Sequence, residues 1–180
     1  MKIPYEDLKL SNKEFFPEYQ ETFKDVLDSG WYILGNCVKK FEAEFAEYNQ
    51  SQFCVGVASG LDALTLSLLA CDFPKGSEVI VPSNTYIATI TSILNAGLTP
   101  ILVEPNIKTY NICPEKVEEK ISEKTVGIMV VHLYGKLCNM VAIADLANKN
   151  NLKVFEDCAQ AHGANYQGKK AGTFGDFGCF

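Results

Sequence analysis

From residue 53 onward the chain alternates short apolar runs with segments of helical character. Five runs have the length and composition of strands: residues 53–57, 78–82, 100–103, 126–131 and 154–156. Runs that are apolar throughout belong to strands buried on both faces, and strands joined by helices lie parallel to one another. The sequence therefore predicts a layered α/β domain in which a mostly parallel sheet lies between helices.

Helices are predicted between these strands and also before them. The predicted helices after residue 53 span residues 61–70, 86–96, 114–121 and 141–148. Upstream, one helix should begin after Asn12 as its cap and end at Gly30, and a second carries a narrow apolar stripe from Val38 to Tyr48. We therefore predict two parts, residues 1–52 and residues 53–180. Residues 172–180 have the pattern of a loop entering one more strand, so we expect a longer protein.

Charge and cysteine content narrow the classes of function. The net charge of −6 disfavours nucleic acid and anionic membrane surfaces as partners. No run approaches the ~18 apolar residues of a membrane span. The 7 cysteines are widely spaced, without a C-x-x-C pair, so we expect neither a disulfide framework nor a zinc site. We expect no metal, and a reducing cytoplasm fits this pattern.

Small, polar or aromatic side chains follow four of the predicted strands. Ser59 and Gly60 follow the first strand, Tyr86 the second, His132 the fourth and Asp157 the fifth. Carboxyl ends of parallel strands meet at one edge of the sheet, where ligands bind in α/β folds. A carboxylate at that edge is costly unless it meets a positive charge or several donors, so Asp157 suggests a cationic ligand atom.

Three of these positions admit two interpretations each. Ser59 and Asp62 have the S-x-x-D form of a capping box, so the helix start at Gly60 can serve the helix alone or bind a phosphate with its backbone N–H groups. Tyr86 can stack on a flat ring or be half-buried packing. A lone histidine such as His132 is more often structural than chemical.

One ligand accounts for the set as a whole. Pyridoxal phosphate has a phosphate for Gly60 to Asp62, a flat ring for Tyr86 and a protonatable ring nitrogen for Asp157. A carboxylate beside that nitrogen stabilises its protonated form, and the ring then works as an electron sink.

The chain resembles the DegT/DnrJ/EryC1/StrS sugar aminotransferases, which are fold-type I, aspartate-aminotransferase-like enzymes. The likeness covers essentially the whole chain, and six segments carry it: SGWYILG (29–35), SGLDAL (59–64), PSNTYIAT (82–89), VHLYG (131–135), EDCAQAHG (156–163) and GDFGCF (175–180). The resemblance implies that residues 53–180 are the pyridoxal-phosphate-binding large domain, and that residues 1–52 make substrate and dimer contacts.

The resemblance also implies roles for individual residues. It assigns six to the cofactor: Gly60, Leu61 and Asp62 at the phosphate, Tyr86 on the ring face, Asp157 at the ring nitrogen and Gln160 at the ring hydroxyl. In the family the Schiff-base lysine follows the run that corresponds to GCF, so we expect it beyond Phe180. No catalytic residue is thus predicted within the chain, which alone should bind the cofactor weakly and not turn over.

The implied reaction moves an amino group from an amino acid, with glutamate expected, to a nucleotide-linked sugar. Within the family, residues 103–105 and 109–112 look most like enzymes that aminate C3 of a dTDP-linked 3-keto-6-deoxyhexose, in amino-sugar biosynthesis for surface polysaccharide or glycans. Three alternatives stay open: a C4 aminotransferase, a sugar 3-dehydratase with histidine in place of the lysine, and a non-catalytic remnant.

Family members are homodimers that share active-site residues between subunits. We therefore expect a homodimer, with the N-terminal helix and the linker holding Trp31 and Tyr32 as candidate contacts, and we assign these two residues to substrate binding. The other interpretation is that Trp31 and Tyr32 merely cover the sheet edge.

Overall fold

A five-stranded sheet, parallel throughout, forms the centre of the molecule. A computed structural model describes residue 4 and residues 6–180. The strands are β1 (Glu78–Pro82), β2 (Thr99–Val103), β3 (Thr125–Val131), β4 (Lys153–Asp157), β5 (Asn165–Tyr166), β6 (Lys169–Lys170) and β7 (Phe177–Cys179). The sheet has the order β2-β1-β3-β4-β7, and β5 and β6 form a separate antiparallel hairpin. The predicted layered α/β fold with a parallel sheet is confirmed.

Seven α-helices accompany the strands in the described residues. They are α1 (Leu8–Asn12), α2 (Phe16–Ser29), α3 (Asn36–Asn49), α4 (Gly60–Leu69), α5 (Ile87–Asn95), α6 (Pro114–Glu118) and α7 (Met140–Asn150). Helix α5 is followed by Gly97, whose positive φ of 75° and N–H bond to the Leu94 carbonyl are those of a helix C-terminal cap. None of these helices is long and apolar enough to cross a membrane.

Two apolar layers cover the two faces of the sheet. Successive side chains of β1 pack in different layers, because successive residues of a strand point to opposite faces of the sheet. Val79 and Val81 pack with Leu68 and Ile93 from α4 and α5, whereas Ile80 packs in the other layer, which includes residues of α6 and α7. This packing fixes the ends of β1 and β4 relative to α4 and α5, where the candidate site lies.

The strand predicted at residues 53–57 is wrong. The segment belongs to no helix or strand, and the side chains of Phe53 and Val55 are exposed. A strand requires a hydrogen-bonding partner, and no described segment pairs with these residues. Their apolar, β-branched composition is typical of strands, but it gives no information about pairing.

The N-terminal helices differ from the prediction at their start. The chain becomes helical at Leu8 because Asp7 accepts a hydrogen bond from the Leu10 N–H at 2.9 Å, and Asn12, the predicted cap, makes no capping bond. The predicted end is confirmed, since Gly30 adopts a left-handed φ of 63° after α2. No residue of α2 is buried in the described chain.

Candidate active site

A cavity of about 540 Å³ opens at the carboxyl edge of the sheet. It lies beyond the ends of β3, β4 and β7 and beside the starts of α4 and α5, the place where α/β folds bind ligands. Five of the six residues assigned to the cofactor line it: Gly60, Leu61, Tyr86, Asp157 and Gln160. The sheet thus brings together residues that are up to 100 positions apart in the sequence.

The start of α4 forms one wall of the cavity. Ser59 caps the helix by accepting the Asp62 N–H at 3.2 Å, and its hydroxyl donates to Asp62 Oδ2 at 3.0 Å. The capping interpretation of this pair is therefore correct, and Asp62 itself does not line the cavity. The N–H groups of Gly60 and Leu61 have no acceptor within the described chain, so they remain available to an anion.

Neither the backbone conformation nor the packing at position 60 requires a glycine. Its φ is not positive, and a Cβ added there would meet the Phe180 carbonyl oxygen at 3.5 Å, an ordinary contact. A ligand that approaches the backbone closely would account for the glycine, because any side chain would fill that space.

Asp157 ends β4 with a buried carboxylate. Its side chain is 8% exposed, and it accepts bonds from Thr89 Oγ1 at 2.8 Å and from the Ala159 N–H at 3.2 Å. In the described part of the chain no lysine, arginine or histidine nitrogen lies within salt-bridge distance of it. A buried carboxylate without a cation favours a positively charged atom in the cavity.

Tyr86 and Gln160 lie at the rim. Tyr86 is 75% exposed, so the interpretation as half-buried packing is wrong, and its ring is free to stack on a ligand. Gln160 Oε1 accepts the Tyr134 N–H at 2.7 Å. The side-chain oxygen of Gln160 is therefore used in a bond within the protein, and its Nε2 group remains free to donate to another group.

His132 does not reach the cavity. It is fully buried, and its Nδ1 accepts the Cys138 N–H at 3.2 Å. Its Nε2 must then carry the proton, and it donates to Glu156 Oε2 at 2.9 Å. The structural interpretation of His132 is therefore correct.

Glu156 is a fully buried carboxylate that the sequence did not single out. Besides His132, it accepts three backbone N–H groups, from Gly172 at 2.9 Å, Phe174 at 2.7 Å and Gly175 at 2.6 Å. Successive N–H groups of a turn form a nest that suits an anion. Glu156 thus holds the turn that leads into β7, and the end of β7 lines the cavity.

Cys158 lies beside this pair, and the three ligand atoms of His132, Glu156 and Cys158 are all within 4.8 Å of one another. The carboxylate already accepts four bonds, and burial raises the pKa of the Cys158 thiol, which keeps it protonated. Metals bind thiolates and free carboxylate oxygens, whereas this cluster offers a protonated thiol and a carboxylate that is already hydrogen-bonded. We therefore interpret the cluster as structural.

Trp31 and Tyr32 lie away from the cavity lining. Both side chains are more than half exposed. Trp31 Nε1 donates to the Ile33 carbonyl at 2.8 Å, and the Tyr32 hydroxyl donates to the Leu27 carbonyl at 3.0 Å. Their polar atoms therefore fix the linker conformation, and their rings remain open to a partner or ligand.

Two threonines belong to the site and were missed. Thr85 lines the cavity, and Thr89 bonds to Asp157. Thr85 lies in the turn between β1 and α5, and Thr89 is in the first turn of α5. Their position after the carboxyl end of β1 could have indicated them.

The residues present fit pyridoxal phosphate. The free N–H groups at the start of α4 suit its phosphate, Tyr86 suits its ring face, and the cation-free carboxylate of Asp157 suits its ring nitrogen. All three lie around one cavity, as the sequence predicted.

Comparison with known proteins identifies close relatives. The model of the DegT/DnrJ/EryC1/StrS aminotransferase family matches residues 15–180. The dTDP-3-amino-3,6-dideoxy-alpha-D-galactopyranose transaminase of Aneurinibacillus thermoaerophilus is 58% identical over 174 residues, which are 97% of this chain and 48% of that protein. The chain spans about half the length of the curated relatives it matches.

Solved structures show the same likeness. DesV of S. venezuelae, in complex with a ketimine intermediate, matches with a TM-score of 0.92 and 43% identity over 95% of this chain and 46% of that chain. NtdA of Bacillus subtilis, with bound cofactor PMP, matches with a TM-score of 0.84 and 36% identity over 88% of this chain and 37% of that chain.

Proposed function

The chain belongs to the DegT/DnrJ/EryC1/StrS aminotransferase family, and from that premise we propose that the whole protein is a pyridoxal-phosphate-dependent sugar aminotransferase. It moves an amino group from an amino acid, with glutamate as donor, to the keto group of a dTDP-linked 3-keto-6-deoxy sugar. The amino sugar serves surface polysaccharide or glycan synthesis.

The observation that carries the cofactor proposal is the environment of Asp157. This carboxylate is buried at the cavity, accepts two hydrogen bonds and has no cation partner in the described residues. It therefore suits a protonated ring nitrogen. When bound, pyridoxal phosphate supplies an electron sink for the amino-group transfer.

Other residues of the chain hold and orient this cofactor. The N–H groups of Gly60 and Leu61 bind its phosphate, and the Asp62 N–H takes part by sharing its bond with Ser59. Tyr86 stacks on the ring. The Nε2 group of Gln160, oriented by the Tyr134 N–H, donates to the ring hydroxyl.

The substrate class rests on the relative at 58% identity, whose name specifies a dTDP-3-amino-3,6-dideoxygalactose. Amination at C3 of a dTDP sugar agrees with the resemblance at residues 103–112. We place the reaction in the cytoplasm, because the 7 cysteines are all free and suit a reducing compartment.

We propose further that residues 1–52 make substrate and dimer contacts, and that residues 53–180 form the cofactor-binding domain. Helix α2 buries none of its residues, although Tyr19, Phe23 and Leu27 form an apolar side. A second subunit would cover that side in a homodimer. Trp31 and Tyr32, with exposed rings next to α2, would then contact substrate.

The test uses the protein expressed from its own gene, including any residues encoded after Phe180. The protein is incubated with glutamate and, in separate reactions, with a dTDP-linked 3-keto-6-deoxyhexose or its 4-keto isomer, and products are analysed by mass spectrometry and NMR. We expect 2-oxoglutarate and a sugar aminated at C3. Amination of the 4-keto isomer at C4, or loss of its 3-hydroxyl without amine gain, would instead support the C4 transaminase or the 3-dehydratase. No sugar product with any donor would contradict the proposal.

The 180-residue chain by itself is expected not to turn over. Its absorption spectrum with added pyridoxal phosphate tests this, since a Schiff base with a protein lysine, trapped by borohydride, would contradict the expectation.

A further inference from the structure

Thr89 lies behind the cavity wall and contacts Asp157 directly. It is in the first turn of α5 and is fully buried. Its hydroxyl oxygen is 2.8 Å from Asp157 Oδ2, although the two residues are 68 positions apart in the sequence. A buried hydroxyl on a buried carboxylate is a charge-assisted bond, which is stronger than one between neutral groups.

The direction of this bond follows from the donors available. An ionised carboxylate only accepts hydrogen bonds, so the single hydroxyl hydrogen of Thr89 must point at Asp157. Thr89 Oγ1 is also 2.7 Å from Thr85 Oγ1. Since Thr89 has no second hydrogen to give, Thr85 must donate in that contact. The hydroxyls therefore form a directed chain from Thr85, at the cavity wall, through Thr89 to Asp157.

The carboxylate of Asp157 is held at both oxygens. Thr89 bonds to Oδ2, and the Ala159 N–H bonds to Oδ1 at 3.2 Å. Rotation of the carboxylate would break both bonds at once. An ionised carboxylate offers about four lone-pair sites, so two remain for a ligand.

We propose that Thr89 is a positioning residue, which fixes the Asp157 carboxylate in the orientation that receives the protonated ring nitrogen of a pyridine cofactor. This inference rests on the proposed function. Without the hydroxyl, Oδ2 loses its donor in a buried place, and the carboxylate relieves that cost by turning. A turned carboxylate attracts a ring cation less strongly.

A purely structural role for Thr89 makes a different prediction. If its hydroxyl only joined α5 to β4, its loss would weaken every ligand of the cavity to the same extent. A positioning role affects only ligands that carry the ring nitrogen. Two probes separate the roles: pyridoxamine 5′-phosphate, which needs no Schiff base, and its 1-deaza analogue, in which a CH group replaces the ring nitrogen.

The experiment compares Thr89→Val, which keeps the shape and removes the hydroxyl, with Thr89→Ser, which keeps the hydroxyl. Both are made in the protein expressed from its own gene and stripped of cofactor. Calorimetric titration measures the affinity for each probe. We expect Thr89→Val to bind pyridoxamine 5′-phosphate about 10-fold more weakly and the deaza analogue within about 2-fold of wild type. Thr89→Ser should bind both as wild type does.

Several outcomes would overturn the inference. Unchanged binding of pyridoxamine 5′-phosphate by Thr89→Val, an equal loss for both probes, or no rescue by serine would each do so. If wild type itself binds neither probe, or binds both equally, the proposed cofactor role of Asp157 fails first. Thermal melting of the cofactor-free variants checks folding, and Thr89→Ala replaces the valine variant if that one does not fold.

Discussion

Glu156 and Asp157 are consecutive residues of β4, but their carboxylates serve opposite faces of the sheet. Asp157 lines the cavity, and Glu156 lies fully buried on the other side, 2.9 Å from His132 Nε2. Alternation of side chains along a strand produces this division. One carboxylate is available to a ligand, and the other organises the protein around it.

The first prediction concerns the Glu156 carboxylate. Glu156→Gln should lower the free energy of unfolding by roughly 3 kcal/mol, because a buried acceptor of four hydrogen bonds becomes an amide with a donor end facing N–H groups. Urea denaturation measures the loss.

Asp176→Asn is the matched control for that variant. Asp176 lies next to the same turn and its carboxylate bonds to Lys153 and Val154, but it is exposed, and asparagine keeps an acceptor for the Val154 N–H. We expect a much smaller loss of stability. A Glu156→Gln protein as stable as this control would contradict the role assigned to Glu156.

Most strands of the sheet could be predicted from the sequence, because each one is marked by the composition of its own few residues. Each of the four strands predicted from residue 78 to residue 156 matches an observed strand within two residues at either end. Apolar runs such as Ile80 to Val81 and Val154 to Phe155 lie in strands that are buried on both faces, and their composition indicated this burial. Asp157 could be identified for the same reason, as a charged residue that ends such a run.

What the sequence could not supply depends on contacts between distant residues. Residues 53–57 have strand composition, but pairing depends on another segment. The carboxylate oxygens of Glu156 accept N–H groups from residues that lie 16, 18 and 19 positions later in the sequence. A pattern of side chains does not show which backbone N–H groups will meet a given carboxylate. The Thr89 bond to Asp157 likewise requires α5 to pack beside β4.

The second prediction concerns close backbone packing at Gly178. A Cβ there would clash with the Gly172 carbonyl oxygen, so an alanine cannot fit without moving β7. Gly178→Ala should lower stability by about 3 kcal/mol. Gly56→Ala is the control, because its Cβ would meet only side-chain atoms at 3.5 Å or more. Thermal melting of the two variants should differ clearly, and equal melting temperatures would contradict the geometry of β7.

The third prediction concerns alkaline pH. Burial raises the pKa of Cys138 from 9.0 to about 12 and that of Cys179 from 9.0 to about 11. Between these values the unfolded chain loses thiol protons that the folded chain keeps, so stability falls as pH rises. The stability due to the protonated thiols is thus fully present below pH 9.0 and is lost as pH rises toward 11 to 12.

Urea denaturation at pH 8 and pH 10.5 measures this fall. Cys179→Ala should reduce the difference between the two pH values, because the substituted residue has no proton to lose. Cys37→Ala, at an exposed position, should leave the difference unchanged. The same pH dependence in all three proteins would show that the Cys179 thiol does not contribute to it.

The fourth prediction concerns the exposed apolar side of α2, where the side chain of Phe23 is 64% exposed. If a second subunit covers this side, Phe23→Asp places a charge in an apolar interface and should weaken dimerisation by at least about 30-fold. Glu21→Lys, on the opposite side of the same helix, also changes charge but should leave dimerisation unchanged. Sedimentation equilibrium of the protein expressed from its own gene measures both. A dimer that tolerates Phe23→Asp would place the subunit contact elsewhere, and a wild-type monomer would contradict the dimer itself.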